Sequence, residues 1–173
     1  MAGDFHTCAA KGLFICKRGR PDIQTSVAFL TTRVKQPDQD DWKKLLRKIA
    51  CLRDTKNMVL TLEADNLHMM RWHVDASFAV HNDMRGHTGG GMTLGKGSIY
   101  NKSTKQKING KSSTETELIG VDDVMPQVLW SNYFMKEQGW TCSTTIYQDN
   151  KSAILLENNG RLSSSSRTKH INV

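Results

Sequence analysis

Arg71-Trp72-His73-Val74-Asp75-Ala76-Ser77-Phe78-Ala79 is the most informative run of residues in the chain. Val74, Ala76 and Phe78 alternate with polar or small residues, and this period of two predicts a half-buried β-strand. An acid in such a strand costs free energy unless a cation or a hydrogen-bond donor meets it. We therefore expect Asp75 to form a salt bridge, to cap a turn or to bind a metal. This run alone does not distinguish among the three roles.

Two further acids fall at the ends of predicted elements. Glu117 lies near the start of a predicted helix that has apolar residues at helical spacing, and Asp149 follows a predicted strand. Glu115 and Glu117 are two residues apart, so they point to different faces of the helix. Glu117 is nearer the apolar face and is the one we expect to face the Asp75 strand. The alternative is that both glutamates only cap the helix.

The net charge lies mainly in the first third of the chain. The 173 residues carry a formal charge of +7; residues 1–57 hold 12 Lys/Arg against 6 Asp/Glu, a net of +6, and residues 58–173 hold 12 against 11, a net of +1. This balance suits a polyanionic partner, and a solvated helical surface gives the same pattern.

Several other features bear on the class of protein. No run approaches the roughly 20 apolar residues of a membrane span, and the N-terminus lacks the pattern of a secretory signal. The four cysteines form no Cys-x-x-Cys pair, so neither a zinc site nor a disulfide framework is indicated. We therefore expect an intracellular protein with reduced thiols and no membrane partner.

The hydrophobic pattern changes from helical to extended near residue 57. Residues 1–57 predict three short helices, the third with a basic face, and hence a small all-helical subdomain. The apolar run Met58–Leu62 predicts a short strand, so we expect a linker strand over 58–67. Residues 68–173 then form a second domain.

The second domain shows further strand and helix signals. Strands are predicted near 88–94 and 98–101, followed by a turn over 102–107 that closes a hairpin. The run Gly89–Gly91 does not resemble a phosphate loop, and it would let another backbone or a nucleic-acid strand approach closely. Pro126 falls inside the predicted helix and should kink or split it.

Several groups of residues match, in order and spacing, the C-terminal part of copia-type retrotransposon polyproteins. These groups are Phe5–Thr7, Arg20–Ile23, Val74–Ala76, Ser112–Ile119, Ile146–Ala153 and Arg167–Ile171. By this resemblance, residues 1–57 are similar to the helical end of a reverse transcriptase and residues 68–173 to its ribonuclease H domain, truncated at the C-terminus. The resemblance implies an α/β fold with a five-stranded mixed sheet and flanking helices, preceded by a small all-helical subdomain.

The resemblance also implies an activity, which is hydrolysis of the RNA strand of RNA–DNA hybrids with two divalent ions during reverse transcription. Asp75, Glu117 and Asp149 match the catalytic, metal-binding positions of that family, and carboxylate oxygens suit Mg²⁺ or Mn²⁺. Hydroxyl, amide and basic side chains are the expected contacts to the nucleic-acid strands. The candidates are Ser77, Thr114, Asn150, Lys102, Lys105, Lys107 and Lys111.

The implied partners are an RNA–DNA hybrid and the polymerase and integrase portions of the same polyprotein, in a cytoplasmic particle or in the nucleus. The family carries Asp after His-Ile near its end, where this chain has Asn172. We count Asn172 as a fourth catalytic position, since an amide oxygen can ligate a metal without adding charge. No Tyr-x-Asp-Asp polymerase motif is present, so the chain looks like a fragment that does not polymerise DNA by itself. A catalytically silent nucleic-acid-binding remnant is the main alternative, and an integrase-like nuclease ranks lowest.

Overall fold

The computed structural model describes residues 2–160 and divides the chain into two compact units, Met1–Thr61 and Leu62–Val173. The division falls inside the segment 58–67, in which a linker was predicted. Among the described residues, no helix combines the length and the apolar character that crossing a membrane requires.

Three α-helices form the first unit. They are α1 (Ala2–Arg18), α2 (Gln24–Thr31) and α3 (Gln39–Asp54), with a 3-10 turn at Pro21–Ile23 between the first two. Each helix contributes one buried residue to a common core, namely Phe5, Leu30 and Leu45. The ring of Trp42 packs edge-on against Phe5 with a centroid distance of 5.3 Å. Apolar residues at helical spacing thus bring the three helices together, as expected for amphipathic segments.

Arg20 fastens the turn after α1 to the end of α3. Its guanidinium donates two hydrogen bonds to the carboxylate of Asp22, at 2.9 and 2.8 Å. It also donates to the carbonyl and to the hydroxyl of Thr55, at 3.1 and 2.7 Å. Thr55 is the C-terminal cap of α3, so this nearly buried arginine satisfies a carbonyl at the helix end and holds the two segments together.

The strand predicted over the linker is largely absent from the structure. Within residues 58–67 the structure forms only the two-residue strand β1 (Glu63–Ala64), which pairs antiparallel with β4 (Gly95–Lys96). Met58 and Val59 are exposed, Val59 by 80%. The prediction was wrong for most of the segment, because apolar residues form a stable strand only where a partner strand or a packing surface covers them.

A four-stranded mixed sheet forms the centre of the second unit. Its strands are β2 (Met69–Ser77), β3 (His87–Thr93), β5 (Tyr100–Lys105) and β6 (Ser143–Tyr147), in the spatial order β5-β3-β2-β6. The two pairings of β3 are antiparallel, and β6 pairs parallel to β2. The flanking helices are α4 (Ser113–Glu137) and α5 (Lys151–Asn159). The α/β class with a mixed sheet and flanking helices is confirmed; within residues 2–160 this sheet has four strands, whereas five were expected.

Helix α4 packs closely on one face of β2 and β3. The buried cluster between them contains Met70, Trp72, Val74, Met92, Val121, Val124 and Val128. Two glycines permit the close approach: a Cβ at Gly90 would lie 2.8 Å from a methyl of Val124, and a Cβ at Gly120 would lie 3.1 Å from the Cβ of Ala76. Gly120 is three residues after Glu117 on the same helix, so this contact also sets how near Glu117 comes to β2.

Two local predictions differ from the structure. Residues 102–105 were expected in a turn, but they belong to β5 and pair with β3 from Gly90 to His87. Helix α4 is continuous from Ser113 to Glu137, so of the kink or split predicted at Pro126 the split does not occur. The ammonium of Lys102 donates to the carbonyl of Asp123 in the turn before Pro126. The burial of Val124 and Val128 offsets the one helical hydrogen bond that proline removes.

We predict that Gly120→Val lowers the free energy of unfolding by about 1–3 kcal/mol, the usual cost of overpacking a core. Gly120→Ala should cost less, because one methyl group at 3.1 Å from Ala76 needs only a small shift of the helix. Urea unfolding followed by tryptophan fluorescence measures both variants. Equal stability of the valine variant and the wild type would show that α4 does not need this close approach.

Candidate metal centre

Three carboxylates come together at one edge of the sheet. Asp75 lies near the end of β2, Glu117 in the first turns of α4, and Asp149 two residues after β6. Each offers a carboxylate oxygen, and these oxygens all lie within 4.8 Å of one another. Because β2 and β6 are parallel, their carboxyl ends reach the same edge of the sheet. The convergence of these acids was expected from their positions at element ends.

The pleat of β2 explains the placement of Asp75. Trp72, Val74 and Ala76 face α4 and are buried, so the intervening Asp75 is on the opposite, exposed face. Gly89 lies opposite Asp75 in the neighbouring strand and presents no side chain there. The Asp75 carboxylate is consequently open to solvent on the β3 side.

Glu117 is the buried member of the cluster, with 4% of its surface exposed. Burial raises the pKa of Glu117 above its ordinary value, and the nearby carboxylates of Asp75 and Asp149 also raise it. A hydrogen bond from Gln148 and one from the backbone of Ala76 act in the opposite direction. Like charges and desolvation thus disfavour the ionised form, and a cation among the three acids would remove this penalty.

The neighbouring Glu115 has a different role. Its Oε2 accepts the backbone N–H of Lys111 at 2.7 Å, while its own N–H donates to the Oγ of Ser112 at 3.2 Å. Ser112 is the N-terminal cap of α4. Glu115 therefore stabilises the start of the helix and is not a member of the carboxylate cluster.

An open groove of about 380 Å³ adjoins the carboxylates. Asp75 and Asp149 line it together with Gln148, His73 and Tyr147. The rings of His73 and Tyr147 stack with a centroid distance of 4.9 Å and an interplanar angle of 12°. The two exposed acids are therefore accessible from the groove, whereas Glu117 is buried and is not among the residues that line it.

Comparison with known proteins gives related sequences of transposon origin. The chain is 32% identical over 155 residues to a retrovirus-related Pol polyprotein from transposon RE2 of Arabidopsis thaliana, a match that covers 88% of this chain and 10% of the relative. The chain belongs to the retrotransposon Pol polyproteins. It spans about a tenth of the length of this Pol polyprotein.

Two other relatives have lower sequence identity to this chain. A transposon Ty5-1 protein of Saccharomyces cerevisiae is 29% identical over 119 residues, 67% of this chain and 38% of the relative. A secreted RxLR effector protein of Plasmopara viticola is 26% identical over 112 residues, 64% of this chain and 79% of the relative. No protein-family model and no solved structure matches the chain significantly.

Three of the residues predicted to contact nucleic acid lie within three residues of a cluster carboxylate along the chain. Ser77 is exposed at the end of β2, two residues after Asp75. Thr114 is half-buried in the first turn of α4. The side chain of Asn150 caps α5 by accepting two backbone N–H groups. Asn150 is therefore a structural cap in addition to any contact that it makes with a strand.

The four candidate lysines divide into two pairs. The ammonium of Lys105 bonds to the carboxylate of Asp83 at 2.6 Å, and that of Lys102 to a carbonyl of α4. Lys107 and Lys111 are exposed in the connection between β5 and α4. The first pair is already engaged within the protein, so the exposed pair is better placed for phosphate contacts. Asn172 lies outside the described residues.

Gln148 is a residue of the centre that the sequence analysis missed. Its Nε2 donates to Glu117 Oε2 at 3.0 Å, and its Oε1 accepts the N–H groups of Asp149 and Asn150 at 2.8 and 3.2 Å. The position directly before Asp149 was the available signal. Hydrophobic periodicity carries no information about such a side-chain contact between distant elements.

We predict that Glu117→Gln stabilises the metal-free protein at pH 7. The folded chain holds the pKa of Glu117 above its ordinary value, so folding takes up a proton between the unfolded and the folded pKa, and the free energy of unfolding falls as the pH rises through that window. The neutral amide avoids this loss. The stabilisation should disappear below the ordinary pKa of about 4.5.

Urea unfolding in EDTA at pH 7 and at pH 3.5 tests this sign. Glu137→Gln is the matched control, since Glu137 is exposed at the end of the same helix. A destabilised Glu117→Gln variant at pH 7 would show that the carboxylate is not under electrostatic stress.

Proposed function

We propose that this chain is a ribonuclease H that hydrolyses the RNA strand of RNA–DNA hybrids. The observation that carries the proposal is the convergence of Asp75, Glu117 and Asp149 within 4.8 Å from three different elements. The same three residues match the catalytic positions of the ribonuclease H domain in copia-type polyproteins. Membership of the Pol polyproteins supports the proposal, since reverse transcription produces such hybrids.

The donor set fits hard divalent cations. The cluster consists of carboxylates, and oxygen ligands favour Mg²⁺ or Mn²⁺ over zinc. Two bound ions would lower the pKa of a water molecule, which then attacks the phosphate as hydroxide, and would stabilise the leaving oxygen. Asp75 and Asp149 would bind from the exposed side of the site and Glu117 from the buried side. Three carboxylates would offset most of the positive charge of two divalent ions.

The hybrid would reach the carboxylates through the groove beside β2. Phosphate contacts from Lys107 and Lys111, and hydroxyl contacts from Ser77 and Thr114, would position the strand without reading its base sequence. Recognition of hybrid geometry and of 2′-hydroxyl groups would select the RNA strand.

The first unit would be the helical end of the reverse transcriptase in the same polyprotein. Its net positive charge suits a nucleic-acid partner that the polymerase portion also holds. The polymerase and integrase portions are thus the proposed protein partners. A cytoplasmic particle or the nucleus is the proposed place of action.

A labelled RNA–DNA hybrid incubated with the chain in Mg²⁺ or in EDTA tests the activity. We expect cleavage of the RNA strand in Mg²⁺, none in EDTA, and no cleavage of the matching DNA duplex. Tight binding of the hybrid without cleavage at any Mg²⁺ or Mn²⁺ concentration would reject the enzyme and support a silent nucleic-acid-binding remnant.

We predict that Glu117→Gln abolishes cleavage and that Glu115→Gln reduces it by only a few-fold. A ligand carboxylate cannot become neutral without loss of metal affinity, whereas an acid at a helix start contributes about 0.3–1 kcal/mol. Single-turnover cleavage rates at saturating Mg²⁺ give the comparison. The reverse order of the two variants would exclude Glu117 as the metal ligand.

Asn172 stands where the copia-type family carries an aspartate, so its replacement by aspartate should change metal binding. A fourth carboxylate should bind the second ion more tightly than an amide does, because it adds a negative charge. Asn172→Asp, made in a chain extended past Val173, should therefore lower the Mg²⁺ concentration for half-maximal cleavage. The same half-maximal concentration in both forms would remove residue 172 from the proposed site.

A further inference from the structure

Gln148 connects two of the three acids through a single carboxamide. Its NH₂ group donates to Glu117 Oε2 at 3.0 Å, and its oxygen accepts from the backbone N–H groups of Asp149 and Asn150. A carboxylate can only accept and a backbone N–H can only donate, so these partners determine the orientation of the amide.

The two ends of this amide fix different parts of the site. The donor end holds one oxygen of a glutamate whose surface is only 4% exposed. The acceptor end holds the turn between β6 and α5, which carries Asp149. The same turn is tied to α5, because the Oδ1 of Asn150 accepts the N–H groups of Ser152 and Ala153 at 3.0 and 3.1 Å. Loss of the amide would therefore remove one hydrogen bond from Glu117 and one from the Asp149 backbone at the same time.

We infer that Gln148 is a positioning residue of the metal centre, which sets the separation of Glu117 and Asp149 before an ion binds. The inference rests on the proposed function to the extent that the cluster binds Mg²⁺ or Mn²⁺. It does not require that the bound ions cleave a hybrid.

The chemistry of the side chain suits this role. The acids repel one another, so an unbraced cluster would spread apart in the absence of a cation. A lysine at position 148 would hold the acids but would compete with the metal, and a glutamate would add a fourth negative charge. A glutamine supplies a donor to one ligand and an acceptor to the other without any net charge.

Mn²⁺ titration of the full 173-residue chain by isothermal calorimetry tests the inference. Gln148→Leu keeps the approximate size of the side chain and removes both hydrogen-bonding ends. We expect its Mn²⁺ dissociation constant to rise about tenfold or more, the usual effect of removing a partner of a metal ligand. Gln138→Leu is the matched control, because Gln138 is exposed at the far end of α4, and its dissociation constant should stay within about twofold of the wild type.

Gln148→Glu separates the two ends of the contact. It keeps an oxygen for the N–H groups of Asp149 and Asn150 and replaces the donor to Glu117 with an acceptor. Because the added charge would itself attract Mn²⁺, the readout for this variant is the free energy of unfolding in EDTA at pH 7, which should fall since an oxygen then faces Glu117 Oε2. An unchanged free energy of unfolding would show that the donor end has no role, which would overturn the inference.

A kinetic readout distinguishes positioning from a general loss of structure. In Gln148→Leu, kcat should fall at low Mg²⁺ and recover at saturating Mg²⁺, while KM for the hybrid stays unchanged. A partly unfolded variant would lose activity at every Mg²⁺ concentration.

The outcomes for the inference and for the proposed function differ. Gln148→Leu with a Mn²⁺ dissociation constant within twofold of the wild type would overturn the inference and leave the ribonuclease proposal intact. A wild type that binds Mn²⁺ through Asp75, as judged by Asp75→Asn, but cleaves no hybrid would reject the ribonuclease proposal alone. A wild type without carboxylate-dependent Mn²⁺ binding would overturn both.

Discussion

The close contact between α4 and the strands β2 and β3 is the constraint on which the site depends. Apolar packing sets the distance, because Gly90 and Gly120 leave no room for a side chain between helix and sheet. Hydrogen bonds then set the rotation of the helix. The hydroxyl of Thr88 donates to the carboxylate of Asp123 at 2.7 Å, and the buried amide of Gln106 donates to Thr88 at 3.0 Å. With distance and rotation fixed, Glu117 can face the end of β2.

The same arrangement concentrates electrostatic stress in a small volume. Burial and the charges of two neighbouring carboxylates both disfavour the ionised form of Glu117. Neutral donors, from Gln148 and from the backbone of Ala76, offset part of this stress. The remaining repulsion and desolvation cost disfavour the ionised cluster, so any cation that binds there also stabilises the folded chain by mass action.

The sequence contained the main parts of the second unit because those parts follow local rules. The alternation in residues 72–78 predicted a strand with Asp75 on its polar face, and the apolar spacing after Glu117 selected that glutamate over Glu115.

The features that could not be predicted depend on partners that are distant along the chain. Residues 102–105 form a strand only because β3 pairs with them. The spacing of residues also did not show that Gly90 makes room for the side chain of Val124, whereas the approach of a nucleic-acid strand to the glycine run stays a prediction. Gln148 acts through hydrogen bonds that no spacing of residues records.

The connection between β5 and α4 is fastened at both ends to the helix that it introduces. The amide of Gln106, 1% exposed, donates to the carbonyl of Thr116 at 2.9 Å, and the N–H of Lys111 binds Glu115. A residue deleted between these anchors would pull Gln106 or Lys111 away from its partner on α4, because both ends of the loop are held to the helix. The loop is restricted in composition as well as in length, because a Cβ at Gly110 would lie 2.5 Å from the Oγ1 of Thr116.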